Sequence, residues 1–389
     1  ADPMRCGGCG AKVGATTVSR ALRAVHQRQI ERAKRYSLPL PPPIDHDDAA
    51  IVPVTKPGAM IHTIDYFRSF LSDPFLFGKI AAVHALSDVH AMGAPAQTAL
   101  ALAVVPFAAD ESITESSLLD LLSGASDVFQ DEGITIVGGH TCEGVEMACG
   151  FAIQGFAETP SRLLRKAGGQ PGDKIILTKP IGTGALFAAD MRAKCKGEHV
   201  VDALQSMALS NGKASQIASK MISDGRGGVH ACTDVTGFGL MGHLLEMLLA
   251  NEDGNPISAV LNIREIPFLE GGIEASKAHV FSSLQPQNSR NRRAVYNHSD
   301  AAAACPVEYP LLFDPQTAGG LLFFVDPSVA HSLVQQLQQH YPQSNIIGEV
   351  RSYHDGRQQS PPVMIAGGGG VCTIGSGSTS SGLRVHINY

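Results

Sequence analysis

A chain of 389 residues is longer than one hydrophobic core usually organises and points to two domains. With 44% apolar and 17% charged residues it has the composition of a soluble globular protein, and a net charge of −6 with no tryptophan offers no nucleic-acid surface. The longest apolar stretch, 96–109, is interrupted by Gln97, Thr98 and Pro106 and is too short to span a bilayer, so neither nucleic acid nor membrane is expected as a partner.

The eight cysteines are spread too thinly for a secreted disulfide scaffold, and no signal-peptide pattern stands at the N-terminus. A cytoplasmic location is expected. The three residues before Met4 read as a vector remnant and carry no weight.

Residues 1–47 read as a glycine-rich arm. It opens on "RCGGCGAKVG" (5–14), continues into a short helix over 16–36, and stops at the proline-rich "LPLPPPIDH". From 48 to 160 the pattern is that of an α/β domain. "AAIVPV", "AMIHTID", "TALALAVV", "GITIVGG" and "ACGFAIQGFA" are β-branched apolar runs bounded by turn signals. One interleaved helix is opened by Asp73-Pro74, an N-cap followed by proline at N1, and runs to about 91; a second spans about 111–131. The polar, Gly/Pro-rich stretch 159–173 reads as a linker. A second α/β domain follows over 161–356, with strands at "KIILTKP", "VHACTDV", "GGLLFFVD" and "NIIGEV" and helices after "GTGALFAADM", over 200–221, after "TGFGLMGH" and over 328–340. Residues 357–389 fall to Gly, Ser, Gln and Pro and read as a low-complexity tail, of which 366–389 is expected outside the core unless docking orders it.

Four sets of aspartates are candidates for chemistry: Asp47-Asp48 before a strand, Asp65 at a strand end, Asp88 on the first helix and Asp234 in "CTDVTGFG". Carboxylates near glycine turns suit Mg²⁺ shared with substrate phosphates better than they suit zinc. "GFGLMG" is a G-x-G-x-x-G after a strand, yet a glycine turn entering a helix is also a packing device. The Cys6-x-x-Cys9 pair lacks a second ligand pair for zinc, and it does not open a helix after a strand as a thioredoxin-type motif does. Two readings stay open: idle thiols, or Cys9 as a nucleophile with Lys12 lowering its pKa.

In this order, "GCGAKV", "DDAA", "TIDYF", "DPFLFGKIAA", "LSDVHAMGA", "VGGHT", "LTKPIGTGAL", "TDVTGFGLMGHL", "SRN" and "DPQTAGGLL" resemble the selenophosphate synthetases of the aminoimidazole ribonucleotide synthetase superfamily, over residues 6–356. The resemblance implies a two-domain α/β (α+β) fold whose N-terminal halves pair into a barrel-like homodimer. It also implies a reaction in which ATP, selenide and water give selenophosphate, orthophosphate and AMP, with Mg²⁺ and usually K⁺. Carried onto this chain, it gives Cys9 and Lys12 as catalytic, with Lys12 also toward ATP. Asp48, Asp88 and Asp234 match the metal aspartates, with Asp65 beside them. Gly138, Gly139, His140 and Thr141 match the loop on the phosphate side, and Asn291 a nucleotide contact.

Two departures stand out. Ala11 replaces a cysteine the family often has, while Cys6 is extra, so a Cys6–Cys9 disulfide would gate Cys9. His84 stands where the family usually has Asn, one helical turn before Asp88, and would either hydrogen-bond Asp88 or phosphate or favour Mn²⁺ or Zn²⁺ over Mg²⁺. "CGGCGAKVG" also resembles forms fused behind an NADH-dehydrogenase-like domain, which implies an NADH-dependent oxidoreductase as partner. The alternatives are a related ATP-using enzyme such as a thiamine-phosphate kinase, or a non-catalytic nucleotide- or selenium-binding redox sensor.

Overall fold

The computed structural model describes residues 57–223, 228–250 and 256–352, the strands at 50–53 and 363–366, and isolated positions of a helical stretch between 27 and 35. The first part of the chain builds a five-stranded sheet from β1 (Ala50–Pro53), β2 (Ala59–Arg68), β3 (Ala96–Pro106), β4 (Thr135–Gly144) and β5 (Ala148–Ala157), in the order β1-β2-β5-β3-β4. β3 and β4 are parallel and the other pairs antiparallel. Along β2, Ile61 and Phe67 are buried while Ile64 and Tyr66 are exposed, so period-2 alternation puts Thr63 and Asp65 on the covered face.

That face is covered by α1 (Pro74–Ala91) and α2 (Glu111–Asp131). Asp73 caps α1 by accepting the Leu76 N–H, with Pro74 in the first turn, as its sequence predicts. The two helices cross closely through a pair of glycines. A Cβ on Gly78 would stand 1.9 Å from the Leu121 carbonyl oxygen, and one on Gly124 would stand 1.9 Å from that of Phe75. Nearly every residue of α1 from Phe77 onward is buried, because the helix is apolar all round and is enclosed by the sheet, by α2 and by the second half of the chain.

The second half builds a six-stranded sheet from β6 (Lys174–Leu177), β7 (Val229–Asp234), β8 (Ile257–Asn262), β9 (Leu321–Val325), β10 (Asn345–Ser352) and β11 (Val363–Ala366), in the order β11-β8-β10-β6-β9-β7. β9, "LLFFV", is buried on both faces. Phe324 packs toward α6 (Gly239–Leu249), and Phe323 toward α5 (Gly212–Ser223) and α9 (Pro327–Gln338). Other helices of seven or more residues among those described are α3 (Thr183–Asp190), α4 (Gly197–Ala208), α7 (Glu270–Lys277) and α8 (His298–Ala304). Among the described residues, no helix is long and apolar enough to cross a membrane.

Three expectations are corrected. The helix expected over 200–221 is two helices, α4 and α5, because Leu209 adopts an extended backbone (φ −78°, ψ 117°) and Ser210 bonds the Gly212 N–H. The stretch 159–173 is not a free linker: Leu164 donates to the Met92 carbonyl, the Cys232 N–H donates to Arg165, and Lys166 forms an ion pair with Glu246 at 2.9 Å. Within 357–389, Val363–Ala366 forms an edge strand parallel to β8 with Val363 and Ile365 buried, since residues two apart on a strand share a face.

Candidate functional site

Two parallel cross-links join β2 to α1. Asp88 accepts a hydrogen bond from the Thr63 hydroxyl, and Asp65 Oδ2 lies 3.5 Å from His84 Nε2. Thr63 and Asp65 are two residues apart on a strand, and His84 and Asp88 four apart on a helix, so each pair shares a face. His84 is fully buried, and its ring meets Phe67 edge to face at 5.1 Å. Its Nδ1 accepts the Ala318 N–H at 3.0 Å. An amide N–H only donates, so the neutral ring carries its proton on Nε2, toward Asp65. In this arrangement Nδ1 is engaged by the Ala318 amide and Nε2 faces Asp65, so neither ring nitrogen turns a lone pair toward a cation.

Ala318 belongs to the loop 314–320, the "DPQTAGG" motif, into which buried polar groups of both halves converge. Gln316 Oε1 accepts from the Gly182 and Thr183 N–H groups at 2.8 and 3.1 Å, and the Thr317 N–H donates to the Thr183 hydroxyl. Asn211 Nδ2 donates to Ser87 Oγ of α1 at 3.0 Å and to the Gly319 carbonyl at 2.9 Å. Asp314 takes the Ala185 N–H at the start of α3, and burial pushes its carboxyl up to about 7. Lys179 is buried, with Nζ donating to the Leu209 and Ala318 carbonyls. Burial pulls its amine down to about 7, and the charge of Asp234 offsets part of that penalty.

Asp234 ends β7 and is buried, and its Oδ2 has no hydrogen-bond partner among the described residues. A buried carboxylate oxygen without a donor is an unmet acceptor, and it suits a cation. Asp65 and Asp88, the other candidate carboxylates among the described residues, likewise offer hard oxygen donors. Among the described residues, however, no three His, Cys, Asp or Glu side chains converge closely enough to enclose a metal by themselves.

The other expected site residues are dispersed. Gly138, Gly139, His140 and Thr141 lie in strand β4 rather than in a loop, after a bulge at Val137 where Ala99 pairs with Ile136 and Leu100 with Gly138. Gly139 shares a cross-strand row with Asp65 through Ala101 and Phe151, three strand spacings or about 14 Å away. Its own need for glycine is local, since a Cβ there would stand 2.0 Å from the Ala101 carbonyl oxygen. Asn291, in the 3₁₀ turn 289–294, sits beside α6, its Nδ2 3.4 Å from where a Cβ on Gly242 would be. Cys9, Lys12, Asp48 and the extra Cys6 lie outside the described residues. Sequence reading gave no role to Lys179, Ser87 and Gln316, although they stand in the motifs "LTKPIGTGAL", "LSDVHAMGA" and "DPQTAGGLL", and it missed Asn211, which only the turn signal Ser210-Asn211-Gly212 marks.

The N-terminal domain model of the AIR synthase related proteins matches residues 46–157, and the C-terminal domain model matches 170–357. The chain is 33% identical over 349 residues to a selenide, water dikinase of Nitrosomonas eutropha, covering 90% of this chain and 94% of that one. It is 34% identical over 356 residues to a selenide, water dikinase of Bdellovibrio bacteriovorus, with the same coverage. Among solved structures, a ThiL protein complexed with AMPPCP and TMP superposes with a TM-score of 0.57 at 16% identity, covering 94% of this chain and 96% of that one. The hydrogenase maturation protein HypE in complex with ATP also gives 0.57 at 16% identity, covering 83% and 85%. These two likenesses show the shared two-domain α/β fold, as expected from sequence.

Proposed function

The chain belongs to the selenide, water dikinases of the AIR synthase related family, and from that premise we propose how its residues divide the work. It is an ATP-dependent enzyme that makes selenophosphate from selenide and water and releases orthophosphate and AMP. The observation that carries this is one-third identity sustained along nine-tenths of both chains. No comparable observation favours the kinase or redox-sensor alternatives.

In the proposed site, Asp65, Asp88 and Asp234 hold magnesium with the nucleotide, joined by Asp48. Support comes from the unmet Asp234 Oδ2 and from Thr63 and His84, which fix the carboxylates of Asp88 and Asp65. Magnesium, when bound, would neutralise phosphate charge that otherwise repels an anionic nucleophile. Gly138, Gly139, His140 and Thr141 serve the phosphate side of the nucleotide, and Asn291 makes a further nucleotide contact. Lys12 supplies a fixed positive charge near the transferred phosphate, and Cys9 presents selenium; the motif Gly8-Cys9-Gly10-Ala11-Lys12 supports both. Potassium and an NADH-dependent partner enter on the sequence resemblance alone.

A homodimer through the N-terminal sheet belongs to the same proposal. On the sheet's outer face Ile64, Ala152 and Leu100 form one cross-strand row, and Tyr66, Gly150, Leu102 and His140 form the next. Ile64 and Tyr66 are 61% and 42% exposed, which supports a second copy as cover.

Phosphorus NMR of the products tests the function. Selenide-dependent formation of AMP and selenophosphate is expected, and lost in Lys12→Ala. ADP with a phosphorylated alcohol, or ATP binding with no turnover, would refute it.

A further inference from the structure

We propose that His84 is a positioning residue that couples the 314–320 loop to Asp65 and so sets the carboxylate that meets nucleotide and cation. The proposal rests on the reading of Asp65 as part of the ATP site.

The ring cannot relax independently of either partner. It is fully buried and held edge-on by Phe67. The Ala318 N–H fixes its tautomer, and the resulting Nε2–H faces Asp65 Oδ2 at 3.5 Å. Ala318 is itself constrained: its φ is +50°, a left-handed conformation unfavourable for alanine. The loop around it is held by buried side chains, with His84 on the Ala318 amide, Lys179 on its carbonyl and Asn211 on the next carbonyl. Asn211 also binds Ser87, one turn beyond His84 on α1. The loop is thus attached to α1 at two points one turn apart, which fixes its orientation as well as its distance. Its other end is tied to Gly182 and Thr183 at the start of α3. A shift of the loop therefore moves or releases the Ala318 N–H, frees the imidazole to change tautomer, and removes the donor that aims Asp65. A partner that orients a ligand in this way typically affects affinity or activity about 10–100-fold.

The test uses the full chain and two readouts. In protein labelled with nitrogen-15 histidine, His84 is expected as the Nε2–H tautomer; an Nδ1–H ring overturns the proposal. The second readout is calorimetric affinity for AMPPCP with Mg²⁺ in a double-mutant cycle. His84→Leu is expected to weaken binding about tenfold in wild type but less than about twofold when Asp65 is already Asn. Equal losses in both backgrounds mean that His84 acts by packing alone, and overturn the proposal. His84→Gln, which restores an N–H near the position of Nε2, is expected to recover part of the affinity; a Gln variant no better than Leu counts against it and serves where Leu folds poorly. If Asp65→Asn binds as wild type does, the proposal falls through its premise, while the assigned reaction, read from its products, stands.

Discussion

Replacing Lys179 with methionine tests the energetics of the loop hub directly. Its ammonium is buried and its amine is pulled down to about 7 from an ordinary 10.5. The folded chain therefore favours the neutral amine. Between these two values the unfolded chain binds a proton that the folded chain does not, so stability rises with pH. At about 1.4 kcal/mol per unit, wild type should gain roughly 3 kcal/mol over the methionine variant between about pH 7.5 and about pH 10. Near neutrality two effects oppose each other. Orphaning the Leu209 and Ala318 carbonyls costs about 1–3 kcal/mol each, while removing the buried amine relieves about 4–5 kcal/mol. The variant should then be close to wild type near neutral pH and clearly weaker at alkaline pH. Denaturant unfolding followed by far-UV circular dichroism measures this, since the chain has no tryptophan to report by fluorescence. Parallel stability curves for the two proteins across this pH range would refute the reasoning.

Gly78→Ala gains about 1 kcal/mol of helix propensity but must push α2 away by more than an ångström, so a net loss of roughly 2 kcal/mol is expected; a higher melting temperature would show that the helix pair yields. Asp234→Asn should change the stability of the ligand-free protein little, because it removes a buried carboxylate oxygen that has no donor but also the charge that offsets part of the burial penalty of Lys179. It should also abolish the rise in melting temperature caused by Mg²⁺ with AMPPCP, and a preserved rise would take Asp234 out of the site. Ile64→Glu on the outer sheet face should sediment as a monomer with unchanged circular dichroism, whereas an unaltered dimer would place the interface elsewhere.

What could be read in the sequence was local or ordered along the chain. The Asp73-Pro74 start of α1 and the alternating strands follow from capping and period-2 patterning, and the structure has them where expected. The break at 209–211 was missed because α4 and α5 both have helical patterning, and only three residues separate them. β11 was missed because four residues in glycine-rich surroundings carry little signal without their partner β8. The connections of the hub could not be read. His84 stands out and "DPQTAGGLL" is a motif of the sequence, but His84 and Ala318 are 234 residues apart, and nothing in either neighbourhood pairs them. Lys179 reads as a polar strand end until Leu209 and Ala318 close over it.

The contacts between the halves also explain why the site can be preorganised. Besides the Ser87–Asn211–Gly319 link, α1 is tied to the second half through His90, which lies 2.8 Å from Glu132; Glu132 in turn accepts from the Ser210 hydroxyl, and Tyr341 donates to the Ser210 carbonyl. Both links end at the same short break between α4 and α5, and both start on the helix that carries Asp88. Any rotation of one half against the other would have to break several buried hydrogen bonds together, each expensive to leave unmade. The aspartates of β2, α1 and β7, proposed above to meet the nucleotide, would therefore sit on elements whose relative positions are tied before it binds. Charge stabilisation in a phosphoryl-transfer site is most effective when the groups that provide it need not reorganise during reaction. An interface made only of apolar contacts could slide at little cost, so the polar ties to residues 209–211 are what convert two packed domains into one site.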